Sequence, residues 1–164
     1  MTINVLFVCL GNICRSPMAE AVLRFKTEQE GLSEVIKIDS AGTGDWHIGH
    51  PPHEGTRAML DEKGISYEGM KARQVHAGDF SAFQYIICMD NNNLRDVKRL
   101  LQLDGKKPMD EDNVKLLTFM ELLPDHELTE VPDPYYDGNF PLVYELLDKG
   151  CDKLLDKIRT EQKL

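Results

Sequence analysis

The sequence predicts an α/β fold: a doubly wound, four-stranded parallel sheet in three layers, with helices on both faces. Three observations carry this expectation. Four short apolar runs rich in β-branched residues, Asn4 to Cys9, Val35 to Ser40, Tyr85 to Met89 and Val114 to Phe119, have the length and composition of buried strands. Helix-period patterns alternate with them, which implies parallel pairing through right-handed crossovers. The 164 residues suit one domain, residues 1–164, with enough chain to bury a core.

The first strand leads into a short loop and then a helix beginning near Pro17, a residue suited to a first helical turn. Met18, Val22 and Phe25 fall at i, i+4 and i+7 and give that helix an apolar face, which Gly31 ends. A second helix from about His53 to Lys63 counts Ala58 and Leu60 among its apolar members and stops at Gly64. A third spans about Asn92 to Leu103. The last, Phe140 to about Ile158, carries Val143, Leu147, Cys151, Leu154 and Ile158 at spacings of four and three. Three non-periodic segments remain, about 41–52, 66–79 and 120–139. Ligands of open parallel sheets sit beyond the carboxyl ends of the strands, so these segments become the walls of a site beside the loop after Cys9.

Composition narrows the function classes. Asp and Glu number 28 against 19 Lys and Arg, a formal net charge of −9. A nucleic-acid binder or a protein of anionic membrane surfaces needs the opposite surface, so neither partner is expected. No basic segment precedes a long apolar stretch, and the N-terminal apolar run is too short to span a bilayer. Four cysteines without secretory features read as reduced thiols of a cytoplasmic protein, with Cys88 and Cys151 as small buried hydrophobes.

The chemistry concentrates in Val8-Cys9-Leu10-Gly11-Asn12-Ile13-Cys14-Arg15-Ser16-Pro17. A strand ending at Cys9 and a helix starting near Pro17 leave a loop, Leu10 to Ser16, whose backbone N–H groups can converge on one anion at the helix's positive end. Gly11 and Asn12 tolerate the positive φ that a concave loop requires. Arg15 supplies a planar fork matched to phosphate oxygens and, with the N–H groups, favours thiolate over thiol at Cys9. The loop thus binds a phosphate dianion and activates an attacker together. The Ser16 hydroxyl can donate to the Cys9 sulfur or serve as a helix N-cap, and both can hold at once.

A thiolate attacking a phosphate monoester also needs an acid for the leaving group. Asp133, stiffened between Pro132 and Pro134, is the best candidate; spacing alone leaves a turn aspartate beside Asp125, Glu127 and Glu130 equally open. Trp46, the single tryptophan, can join Tyr135 and Tyr136 in an aromatic slot or pack in the core. His47, His50 and His53 read as exposed loop imidazoles rather than metal ligands, because Pro51 and Pro52 break any helix that would align them. The chemistry calls for no metal or other cofactor.

These residues resemble the low-molecular-weight protein tyrosine phosphatases. The resemblance continues through Asp39-Ser40-Ala41-Gly42-Thr43, Trp46, Ala72-Arg73-Gln74, Cys88-Met89-Asp90 and Asp133-Pro134-Tyr135-Tyr136, in the family's order. It implies a flavodoxin-like fold and hydrolysis of phosphotyrosine monoesters through a cysteinyl-phosphate. Cys9 would be the nucleophile, Arg15 the phosphate and transition-state binder, and Asp133 the general acid and then base. Tyrosine-phosphorylated proteins would be the partners, inorganic phosphate the product and inhibitor, and the chain a monomer. Asn12 is similar to the family's loop asparagine, held by side-chain hydrogen bonds with Ser40 as an implied partner. Many relatives carry a histidine where this chain has Met70, so that support is missing here. Trp46, Tyr135 and Tyr136 would accept a phosphotyrosine ring in a pocket too deep for phosphoserine. Cys14 would resolve an oxidised Cys9 rather than act only as a small apolar residue under the loop.

Three other functions compete. An arsenate reductase on this scaffold needs further cysteines as a relay, and none lies between Cys88 and Cys151. A phosphoarginine phosphatase of the family tends to carry threonine at the place of Ile13. A phosphopeptide-binding module would keep the cradle without needing Cys9 and Asp133 together.

Overall fold

The computed structural model describes residues 2–103 and 114–164. Four parallel strands, β1 (Ile3–Cys9), β2 (Ile36–Gly42), β3 (Tyr85–Cys88) and β4 (Lys115–Thr118), lie in the order β2-β1-β3-β4. β1 is hydrogen-bonded on both edges, and Val5, Leu6, Phe7 and Val8 are all fully buried. This explains why β1 reads as a continuous apolar run rather than an alternation. Its side chains still divide between two faces. Val5, Phe7 and Cys9 join one core with Met18, Val22, Leu147 and Leu154, while Leu6 and Val8 join a second with Ile86, Cys88 and Val97.

The helices are α1 (Arg15–Gln29), α2 (Glu54–Lys63), α3 (Asp79–Ala82), α4 (Asn91–Leu103), α5 (Pro134–Asp137) and α6 (Phe140–Gln162). α1 and α6 cover the first face and α4 the second, so the sheet is doubly wound as expected. From β1 the chain moves outward to β2 and then crosses back to β3 on the other side. The strand order therefore reverses between β1 and β3, and a ligand crevice opens beyond their carboxyl ends.

Several boundaries differ from the sequence expectation for physical reasons. α1 starts at Arg15, two residues before Pro17, so the proline occupies the first turn, where its missing N–H is no loss. Arg15 through Leu23 are buried without a break because α1 touches the sheet, α2 and α6 together, so no single stripe describes it. Phe25 is left on the flank, 36% exposed. Ala58 faces outward, and α2 instead buries Thr56, Met59 and Leu60, with the Thr56 hydroxyl donating to the Cys14 carbonyl at 3.2 Å. β2 runs on to Gly42. β4 ends at Thr118, where a capping box formed with Glu121 opens a 3-10 turn over Phe119–Leu122. The segment expected to be non-periodic at 120–139 contains a one-turn helix, α5, and another, α3, begins where the segment at 66–79 ends.

α6 passes close over that 3-10 turn. A Cβ added at Gly150 would lie 2.2 Å from the Phe119 ring, which is itself fully buried. Gly150→Ala therefore overpacks a rigid contact at about 1–3 kcal/mol, more than the helix-propensity gain of about 1 kcal/mol. Urea unfolding should show a net loss of stability, and a stabilised variant would refute this packing argument.

Candidate active site

The loop from Leu10 to Cys14 joins β1 to α1 at the switch point. Asn12 is the residue that turns it, at φ 56. Gly11 does not adopt the positive φ expected of it; its missing side chain instead lets His47 approach, with an added Cβ 3.1 Å from that ring. The N–H groups of Thr43 and Gly44 bond to the Cys9 and Leu10 carbonyls at 3.0 and 2.9 Å, tying the loop to the end of β2. Among the described residues, no carbonyl accepts from the N–H groups of Gly11, Asn12, Ile13 or Cys14. Those donors, added to the α1 N-terminus, suit an anion.

Asn12 pins the loop from three directions. Its amide donates to Ser16 Oγ at 2.8 Å and Ser40 Oγ at 2.9 Å, and its oxygen accepts from the Arg73 backbone N–H at 2.9 Å. Ser40 is thus the partner that the resemblance implied. Met70 packs partly buried against the core and makes no part of this set, yet both ends of the Asn12 amide are satisfied without it. Arg73, which sequence reading gave no role, lies between Asp39 at 3.1 Å and Asp79, whose two oxygens it reaches at 3.1 Å each.

Cys9 closes β1, buried, with its sulfur 2.9 Å from Ser16 Oγ. Ser16 sits inside the first turn of α1, and the N-cap is Cys14, which makes no side-chain capping bond; the N-cap alternative for Ser16 is thereby corrected. Arg15 is 2% exposed and donates to Asp90 Oδ2 at 2.7 Å, the Val131 carbonyl at 3.1 Å and Asp133 Oδ2 at 3.4 Å. Burial works against its charge. Cys9, Asp90 and Asp133 outweigh that and hold the guanidinium protonated. Asp90 was visible in the sequence only as a member of a resemblance block; its position two residues beyond β3, at the switch point, was the available signal.

Asp133 has extended backbone, and its Oδ1 accepts from the Tyr135 N–H at 3.1 Å, capping α5. The turn aspartate and the cleft-facing carboxylate are therefore one residue. Trp46, Tyr135 and Tyr136 are 65%, 54% and 77% exposed, so none of them is core. They stand on a cleft of about 350 Å³ whose floor includes Cys9, Ile13 and Arg15, with Asp133 on its wall. Gly44 lets Trp46 fold over the loop, since a Cβ there would meet the indole at 2.0 Å. The histidine expectation needs correction: only His50 is exposed. His47 lines the cleft, and His53 caps α2 through Nδ1 while stacking on Phe140 at 5.3 Å.

Cys14 is also buried. Its thiol is pushed up to about 12 by burial, then by the negative charges of Cys9 and Asp133. Cys88 and Cys151 are fully buried, and burial pushes both thiols upward.

Residues 4–164 match the family model described as low molecular weight phosphotyrosine protein phosphatase. The chain is 49% identical over 162 residues to the low molecular weight protein-tyrosine-phosphatase YfkJ of Bacillus subtilis, covering 99% of each. The crystal structure of YfkJ superimposes with a TM-score of 0.90, covering 98% of this chain and 97% of that one. A Drosophila arginine phosphatase superimposes with a TM-score of 0.84 at 30% identity, covering 94% and 97%.

Proposed function

The chain belongs to the low-molecular-weight phosphotyrosine protein phosphatase family, and we propose that this protein-tyrosine phosphatase works through Cys9, Arg15 and Asp133. The observation that carries the assignment is their convergence: a buried thiol, a buried guanidinium and a carboxylate border one cleft rimmed by three exposed aromatics. The phosphate dianion lies in the Leu10–Ser16 loop, bound by backbone N–H groups and the Arg15 fork. The Cys9 thiolate attacks phosphorus as Asp133 gives its proton to the departing phenolate. Water then attacks the cysteinyl-phosphate, Asp133 takes a proton from it, and the thiolate leaves with inorganic phosphate as product. Bound phosphate occupies the same cradle and inhibits. Trp46, Tyr135 and Tyr136 flank the phenyl ring of a phosphotyrosine, and a phosphoserine is too short to bring its phosphorus to Cys9 through them.

Tyrosine-phosphorylated proteins are the substrates, and the chain acts as a cytoplasmic, single-domain monomer. Among the described residues no helix is long and apolar enough to cross a membrane. Arsenate reduction through a cysteine relay is disfavoured by the full burial of Cys88 and Cys151. Ile13 stands on the cleft floor, where its branched side chain narrows the space open to phosphoarginine. Steady-state rates on phosphotyrosine, phosphoserine and phosphoarginine rank these readings, with phosphotyrosine expected first by a wide margin.

Cys9→Ser should lose turnover of p-nitrophenyl phosphate while still binding inorganic phosphate in calorimetry, and near-native turnover would remove Cys9 from the mechanism. Asp133→Asn should slow aryl phosphates with poor leaving groups by about two to four powers of ten. p-Nitrophenyl phosphate, whose phenolate leaves easily, should suffer less. Equal losses across the leaving-group series would exclude the acid role.

The same reading gives Cys14 a redox role. The Cys9 thiolate attacks peroxide, forming an S–O bond and expelling hydroxide, and the Cys14 thiolate then displaces hydroxide from the sulfenic sulfur to close a disulfide. Cys14 is protonated near neutrality, so closure should quicken as pH rises toward its value of about 12. Oxidation also removes the Cys9 charge that helps raise it. Peroxide-treated enzyme should lose two daltons and recover with dithiol, whereas Cys14→Ser should recover less as sulfinic acid accumulates. Equal recovery of the two proteins, without the mass loss, would leave Cys14 as a packing residue.

A further inference from the structure

Glu20 is a carboxylate with no part in the reaction as described, yet it is 5% exposed inside α1. A carboxylate is placed there only against a strong reason. Its Oε1 accepts from Ser40 Oγ at 2.7 Å, and its Oε2 is bonded to Arg24 one turn along the helix, which also reaches the Ile38 carbonyl at 3.2 Å. Beyond Ser40 the polar contacts continue through Asn12 to Ser16 and the Cys9 sulfur, every member buried.

The protons along this chain can be placed by elimination. The Arg73 N–H requires an acceptor, so Asn12 turns its oxygen there and offers both N–H bonds to the serines. Ser40 must then accept from Asn12 and give its own proton elsewhere, and an ionised Glu20 can only accept. Ser16 likewise accepts from Asn12, which leaves its proton for Cys9. The distances alone do not say which of Cys9 and Ser16 donates, whereas the chain does.

We propose that Glu20, clamped by Arg24, is a positioning residue: by taking the Ser40 proton it holds Ser40 as an acceptor for Asn12, and so steadies the amide that leaves the Ser16 proton on the Cys9 sulfur. The inference rests on Cys9 as the nucleophile. Around Glu20, Arg24 faces it from α1 and Ser40 from β2, and the charge of the neighbouring Asp39, itself engaged by Arg73, also acts on it. Burial raises the Glu20 carboxyl above the ordinary range and Asp39 adds to this, while Ser40 and Arg24 pull it back. Its ionised form thus depends on the two donors it orders.

Glu20→Gln separates this role from packing because the shape is kept. Glu20 receives a donor at each oxygen, and an amide has only one oxygen. If its NH2 faces Ser40, Ser40 receives donors from two sides and its own proton has no acceptor; if it faces Arg24, two donors collide. Either arrangement loosens the grip of Ser40 on Asn12 and, through Asn12, that on Ser16. The pH midpoint for iodoacetamide labelling of Cys9, read on the isolated peptide, should rise by about half to one unit, because the thiolate loses a bond to its charged form. kcat for p-nitrophenyl phosphate should fall about tenfold with KM changed less than about twofold, since the thiolate is also the group expelled in the second step. Ser40→Ala cuts the same link from β2 and should give the same displacement, and the double variant should add nothing beyond either single one. If Glu20→Gln does not fold, Ser40→Ala alone carries the expectation. A labelling profile superimposable on wild type, or additive effects in the double variant, would reduce Glu20 to a structural residue. Failure of the wild type to label at Cys9 would instead overturn the nucleophile assignment.

Discussion

One buried positive charge organises this molecule. Arg15 is almost wholly withdrawn from water, and a lone guanidinium in that position would be strongly destabilising. The fold surrounds it with Asp90 from the end of β3, the Val131 carbonyl, Asp133 from the proline-flanked segment and Cys9 from β1. Three of these four partners carry or can carry negative charge, so the pocket is balanced before a substrate enters. On the proposed function, a phosphate dianion would exchange one set of anionic partners for another. In the proposed mechanism the guanidinium exchanges its 3.4 Å contact with Asp133 for the phosphate oxygens, which frees Asp133 beside the leaving group.

The same constraint explains why a chain of net charge −9 can favour a dianion. Attraction is confined to a cradle of backbone N–H groups and one guanidinium, where low dielectric strengthens each contact. Surface carboxylates lie in water and are screened within about 10 Å. Rigidity of the cradle matters as much as charge. Asn12 is held at positive φ by the β2 serine, the Ser16 hydroxyl and the Arg73 backbone, so the donors converge without rearrangement.

Much of this was legible in the sequence because the signals are short-range. The β1 run, the Cys9-to-Ser16 spacing and the α6 pattern each lie within a few turns or strands of chain, where local propensity and side-chain periodicity act. The α1 pattern misled for the complementary reason. A helix contacted on three sides has no single apolar stripe, so Phe25 lies on the flank although it shares the spacing of Met18 and Val22. The histidines failed similarly: His53 looks like a loop residue until α2 begins behind it and Phe140 arrives to stack on it.

By itself the sequence determined the doubly wound class and singled out the loop after Cys9 with its cysteine, arginine and serine, since these are properties of contiguous residues. Only the tertiary structure decided which distant groups complete the site. Asn12 meets Arg73 across 61 positions, and Arg15 meets Asp90 and Asp133 across 75 and 118. Glu20 reads on paper as one more solvated helix acid, and burial against Ser40 makes it part of the loop's support. Such roles depend on where the sheet order brings strand ends together and on what water can no longer reach, and neither quantity is a function of local spacing.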